Sequence, residues 1–281
     1  MANFGEIDGL QQATIDLEKQ KYENRKNDYK FDQLKLLFRE DYEVKGITIS
    51  QPTLEDILKI GEESFYNALS PFLYNTTSIR VMLWDMGIDW CKMKDIEIFP
   101  ILATNFEDNK DALKVVFKDT DITDFQLVKN NNTDELGLFS QSNNIFLSEE
   151  DYLHICSYLR EMMNVHPKVE KPKGKTAKRW MIEEDRMKIY QEKSEDSNLF
   201  TLVSACEVHP GFKYKTQELR ELGIFEFMVL VQRLQIYESS RALLNGSYSG
   251  MCDLSKVDRN EFNFMRPLST ENKKNEKIKT K

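Results

Sequence analysis

The sequence predicts an α+β fold: an N-terminal hairpin, helices and a small antiparallel β meander, followed by a helical C-terminal half. Two observations lead there. Short β-prone runs and two-residue alternation lie before Leu147, whereas from Ser148 onward apolar residues recur at three- and four-residue steps. Asp/Thr and Asn-rich turns separate the runs of the first set, while helices dominate the second. With 281 residues, 40% hydrophobic content, 11 Tyr and 17 Phe, the chain has the material for a core.

Four segments divide the chain: 1–40, 41–147, 148–268 and 269–281. The first is a polar arm of mixed charge in which Phe31, Leu34, Leu37 and Phe38 predict a packed amphipathic helix before Glu40. Tyr42–Val44 and Ile47–Ile49 alternate around Lys45-Gly46, where glycine supplies the positive φ of a two-residue hairpin turn. A helix then starts at Thr53, its cap, with Glu55 and Asp56 in the first turn and Leu54, Ile57, Leu58, Phe65 and Leu69 as one buried stripe. A second, from about Thr77, carries Ile79, Met82, Leu83 and Met86 and closes at Gly87, placing Trp84 and Trp90 near its end. A third spans Asp95 to Leu102, provided that Pro100 falls in its first turn.

Between Ala112 and Leu147, four runs read as strands: Leu113–Phe117, Phe125–Val128, Glu135–Phe139 and Asn144–Leu147. They predict a small antiparallel meander that the earlier hairpin could extend. Ser148 and the acidic triplet after it start a helix with Tyr152, Ile155, Cys156, Leu159 and Met163 on one face. His166 to Lys175, with two prolines, a glycine and dense lysine, reads as a basic linker. A charged helix follows from Thr176 to about Lys193, then a buried helix from Asn198 to Cys206 and a short one stopped by Gly223. The longest apolar helix begins at Ile224 and is expected to stop at Gly246; after a Gly/Ser/Tyr turn the chain restarts behind an Asp cap, so that Phe262, Phe264 and Met265 can fold back on it. Residues 269–281, polar and lysine-rich, read as a disordered tail.

Composition narrows the function. A net charge of −8 argues against broad binding to nucleic acid or an anionic membrane. The most apolar run, Leu222 to Leu244, contains Glu226, Arg233, Glu238 and Arg241, so no membrane span is expected. Scattered Cys91, Cys156, Cys206 and Cys252, with a start that lacks the regions of a signal peptide, point to a cytosolic chain with reduced thiols.

Chemistry-bearing patterns are sparse. Asp119, Asp121 and Asp124 lack the glycine and distal Glu of a calcium loop, position 130 being Asn130. His154 with Cys156, and Cys206 with His209, are too loosely spaced to argue zinc, and His166 has no partner of that type. Nucleotide loops, dinucleotide fingerprints and nucleophile signatures are missing, and the carboxylates Glu62, Glu63 and Glu183-Glu184-Asp185 read as solvated helix faces. We therefore expect no enzyme, no cofactor and no metal. Two basic stretches remain: Lys168, Lys171, Lys173, Lys175, Lys178 and Arg179 against Glu170, and His209 to Lys215, where aromatics interleave with lysines as in single-strand binders.

Several blocks resemble a family of phage tail-module proteins of Gram-positive hosts: Gln51–Ile57 with Gly61–Tyr66, Leu83–Trp90, Phe212–Lys215, Arg233–Glu238, the Tyr248-Ser249-Gly250 turn and Asn263-Phe264-Met265. The resemblance implies a tail assembly chaperone for the tape-measure protein, or a structural component of the virion. Its partners would be other tail proteins, with self-association open, located in the host cytoplasm during assembly or in the virion. A nucleic-acid-binding accessory role through the basic segments is the third reading. The long C-terminal helix has more apolar positions than one stripe needs, which nominates Phe225, Met228, Val231, Leu234, Tyr248, Phe262 and Phe264 as a protein-binding surface.

Overall fold

The computed structural model describes residues 29–129, 135–191, 198–249 and 257–268. The chain divides into two compact units, residues 1–195 and 196–281. The composition change at Leu147 is thus a change of local structure inside the first unit.

In the first unit α1 (Gln33–Leu37) is a five-residue helix capped by the Asp32 carboxylate. Its buried residue is Leu36; Leu34 and Phe38 of the expected stripe face solvent, because one turn of helix buries a single position. β1 (Tyr42–Val44) and β2 (Ile47–Ile49) form the expected hairpin, with Lys45 and Gly46 both at positive φ. α2 (Leu54–Ile60) starts with a Thr53/Asp56 capping box. The single helix expected through Leu69 is instead broken at Gly61, whose φ of 94° and ψ of 133° suit glycine alone. The chain restarts as α3 (Glu62–Leu73), and Leu58 lies exposed before the break.

α3 is the hub. Phe65, Ala68, Leu69, Phe72 and Leu73 are buried, and Phe72 meets the rings of Phe99, Phe117 and Tyr152. Pro71 removes a helical N–H, and the Ser70 hydroxyl donates to the Asn67 carbonyl at 2.8 Å. The carbonyls of Pro71, Leu73 and Tyr74 are capped from outside by the Tyr152 hydroxyl and the Arg160 guanidinium.

α4 (Arg80–Asp85) is a shorter version of the second expected helix, closed by Gly87 at φ 76°. Leu83 is buried but Met82 and Met86 are exposed, so its inward face is narrower than the sequence spacing suggests. The third expected helix is split into a 3-10 turn (Asp95–Ile98) and α5 (Phe99–Leu102), since Pro100 lacks the N–H to carry an α-helix through. The run Leu113–Phe117, expected as a strand, lies in helix α6 (Lys110–Phe117): Ala112, Leu113, Val116 and Phe117 bury one face against α2 and α3, and this packing overrides the β preference of Val115-Val116.

β3 (Phe125–Lys129), β4 (Leu136–Ser140) and β5 (Ile145–Ser148) form the meander. The hairpin does not extend it. The two are separate sheets, and the Ser50 N–H donates to the Val116 carbonyl at 2.7 Å, tying the hairpin's exit to α6. α7 (Glu149–Met162) follows with its Ser148/Asp151 capping box and buries Tyr152, Ile155, Cys156 and Leu159 as expected. α8 (Gly174–Gln191) includes the last two residues of the expected linker.

In the second unit α9 (Asn198–Val208) buries only Leu199 and Cys206, with Phe200 and Val208 exposed, contrary to the buried helix its apolar sequence suggests. Its apolar residues run all around the axis, and one helix cannot bury every side. α10 (Thr216–Glu221) precedes α11 (Ile224–Ser249), whose 26 residues pass through Gly246, which does not take positive φ. Asp258 caps a 3-10 turn at Arg259–Phe262 that lies along α11: the Ser240 hydroxyl donates to the Glu261 carbonyl at 2.8 Å, Arg233 to the Arg266 carbonyl at 2.6 Å, and Phe264 sets its edge against Tyr237. The expected fold-back is present at Phe262 and Phe264, whereas Met265 is exposed. The arm before residue 29, the turn at Gly250 and the tail from 269 lie outside the described residues.

Candidate functional site

α4, the segment from Met86 to Trp90 and α8 together carry several exposed large apolar residues in the first unit. Trp90 is fully buried with Leu83 and Ile182, and Ile79, Val81, Ile88, Cys91, Met93 and Ile101 pack around them. Its indole N–H reaches the Glu170 carbonyl at 3.4 Å.

α8 is held here by ion pairs as well as by apolar burial. Lys178, Ile182 and Asp185, spaced four and three apart, share the inward face, and Ile182 is its one buried residue. The Lys178 ammonium bonds both Asp89 oxygens at 2.6 and 2.7 Å and lies 5.6 Å over the Trp90 ring. Burial works against ionisation of Asp89, but Lys178 and the Cys91 amide outweigh it and hold the carboxyl below its usual range. Arg80, nearly buried on α4, bonds Asp185 of α8 and, at 2.5 Å, Glu170 of the linker; Arg186 pairs with Asp85 nearer the surface. The linker itself is strapped down: Asn75 donates to the Lys168 carbonyl at 2.9 Å, and the Glu170 N–H to the Thr77 hydroxyl.

With its ionic face inward, α8 leaves large apolar side chains outside. Trp180, Met187, Ile189 and Tyr190 are exposed on α8, as are Met82, Trp84 and Met86 beside it. Ile79, Val81, Met82, Met86 and Ile189 line a groove of about 720 Å³ between α4 and α8, together with Ser78, Asp85, Asp185 and Lys188. Methionines suit such a surface, since an unbranched thioether adapts to varied apolar partners. The sequence reading missed this face; Trp180 and Met187, seven apart on a charged helix, were the available signal.

The positions nominated from sequence are dispersed. Phe225 and Val231 are buried, Met228, Leu234 and Phe262 are half-buried, and Phe264 and Tyr248 are exposed, with Tyr248 far along α11 from the others. Of the basic patch, Lys178 is committed to Asp89, while Lys168, Lys173, Lys175 and Arg179 are exposed.

The remaining candidates have structural partners. Asp121 caps Thr123, and Asp124 is held below its usual carboxyl range by the Ser142 amide and the Ser140 and Ser142 hydroxyls, closing the β4–β5 turn. Cys156 is fully buried, its thiol pushed up to about 12 by burial. His209 accepts the Gly211 N–H and approaches Glu238 at 3.4 Å. Among the described residues no group of three or more His, Cys, Asp or Glu is arranged to hold a metal ion, and no helix is long and apolar enough to cross a membrane. Comparison with family models, curated proteins and solved structures gives no match.

Proposed function

We propose that this chain is a non-enzymatic binding protein of bacteriophage tail assembly, a chaperone that holds an apolar helical segment of the tape-measure protein. One observation supports the binding role above others: Met82, Met86 and Ile189, all exposed, line a groove between α4 and α8, and α8 carries Trp180, Met187 and Tyr190 exposed as well. A partner helix offering apolar residues at i, i+3/i+4 and i+7 matches a groove between two helices. The tail setting rests on the sequence blocks at Gln51–Tyr66, Leu83–Trp90 and the C-terminal segments. The net charge of −8 weighs against the basic stretch as a nucleic-acid track.

Titrating the full chain with purified tape-measure protein tests the reading. Met82→Glu with Met86→Glu is expected to weaken binding by at least about ten-fold, the cost of placing charge in an apolar contact, without lowering the melting temperature. Mass spectrometry of purified virions is expected to find no copy of the chain. Unchanged affinity, or a stoichiometric presence in finished particles, overturns the chaperone role.

A further inference from the structure

Where residues 29–32 enter the fold, five rings meet on β1 and α7. Tyr29 stacks on His154 at 4.4 Å, Phe31 stacks on His154 at 5.8 Å and sets its edge on Tyr158 and Tyr42, and Tyr42 stacks on Tyr158 at 4.2 Å. The Tyr42 hydroxyl lies 2.9 Å from His154 Nε2. The histidine is therefore the one member of the cluster whose charge changes near neutral pH.

We propose that His154 is a proton-operated latch: uncharged, it holds residues 29–32 against the hairpin and α7, and charged, it releases them. In the tautomer with the proton on Nδ1, Tyr42 donates to Nε2. Protonation turns Nε2 into a second donor, makes the Tyr42 hydroxyl turn round to accept, and places a charge on a ring that its neighbours half shield from water. Burial moves His154 below its usual 6.5, opposed by Asp151 and Glu150. Among the described residues the charged groups around it are these. Glu150 and Asp151 belong to α7, Asp151 is shared with Lys45 of the hairpin at 3.9 Å, Asp41 before β1 is tied to Lys118 and Ser50, and Lys30 and Asp32 flank Phe31 in the entering segment.

The sign follows from linkage. A histidine whose docked value lies below its free value binds fewer protons when docked, so docking is fully favoured above about 6.5 and weakens as pH falls from there to the docked value. Each unit of depression changes the docking equilibrium about ten-fold.

The test is cleavage of the Lys30–Phe31 bond by a lysine-specific protease, read by mass spectrometry and normalised at each pH to an unstructured peptide with the same bond. Cleavage is expected to rise between pH 7.5 and 5.5 in the full chain, with an NMR midpoint for His154 below 6.5. His154→Phe, which keeps a ring in the stack, is expected to flatten the profile, and Tyr42→Phe to move the midpoint up towards 6.5. A flat profile in the unaltered chain, a midpoint at or above 6.5, or an unchanged profile in His154→Phe overturns the latch.

Discussion

Arg80→Met isolates the ionic contact that fixes α8 to α4. The Arg80 side chain is 9% exposed, and its two partners differ: Asp185 is 21% exposed and Glu170 43%. Methionine retains most of the apolar stem, so the change removes the guanidinium and little packing. A charge-assisted hydrogen bond contributes about 1.5 to 3 kcal/mol, and stripping one partner from a buried pair costs about 3 to 5 kcal/mol. Glu170 is open enough to rehydrate, so most of the loss falls on Asp185, whose carboxylate is left facing the protein body. The expected cost is about 2 to 3 kcal/mol, which for a unit of this size lowers the melting temperature by about 4 to 12 °C.

The matching control is Arg186→Met. Its pair with Asp85 is 42% and 56% exposed, and such surface pairs contribute about 0 to 1 kcal/mol. Calorimetric melts of the two variants should therefore separate widely. Adding Asp185→Asn to Arg80→Met should restore part of the loss by removing a charge whose remaining partner is Lys188 at 4.0 Å. An Arg80→Met protein within about 0.5 kcal/mol of the original, or one no less stable than Arg186→Met, would refute the argument that buried charge holds this helix.

Ile182→Ala removes the buried residue of α8 and is expected to cost about 2 to 4 kcal/mol; hydrogen exchange should speed along Gly174–Gln191 more than in α3 or α7. Gly137→Ala should cost more than about 2 kcal/mol, since a Cβ there would sit 2.4 Å from the Phe146 ring and 2.7 Å from the Leu147 carbonyl oxygen, a backbone atom that cannot swing aside. Chemical denaturation reads it directly, and a neutral Gly137→Ala would mean that β4 and β5 are not paired in the register Gly137 to Ser148.

The α+β class, the hairpin, three strands of the meander, the Ser148 start and the C-terminal fold-back were all legible, because each rests on local chemistry: a cap, a positive-φ glycine, or an apolar period that agrees with its burial. Leu113–Phe117 failed because the four-residue Leu-Lys-Val-Val window reads the same in both periods, and only burial against α3 decides it. Gly61 failed for a different reason. A glycine between two stretches of the same helical phase looks like a tolerated guest, and nothing nearby in sequence announces that the chain must turn at φ 94°.

The face around α8 was hidden by an inversion. A sequence reading assigns charges to solvent and large apolar residues to the core, but on this helix Lys178 and Asp185 point inward to Asp89 and Arg80 while Trp180, Met187 and Tyr190 point out. The partners that make the inversion stable, Asp89 and Arg80, stand about ninety to a hundred residues earlier, so no window on the helix could reveal them. An inward ionic face is costly to assemble and is only weakly favourable for stability once assembled. What it achieves is orientation: it fixes the rotation of α8 about its axis, and with it which residues the helix presents. That rotation is what a docking surface requires, since the same helix turned by half would turn Trp180 inward and offer a partner Lys178, Ile182 and Asp185 instead.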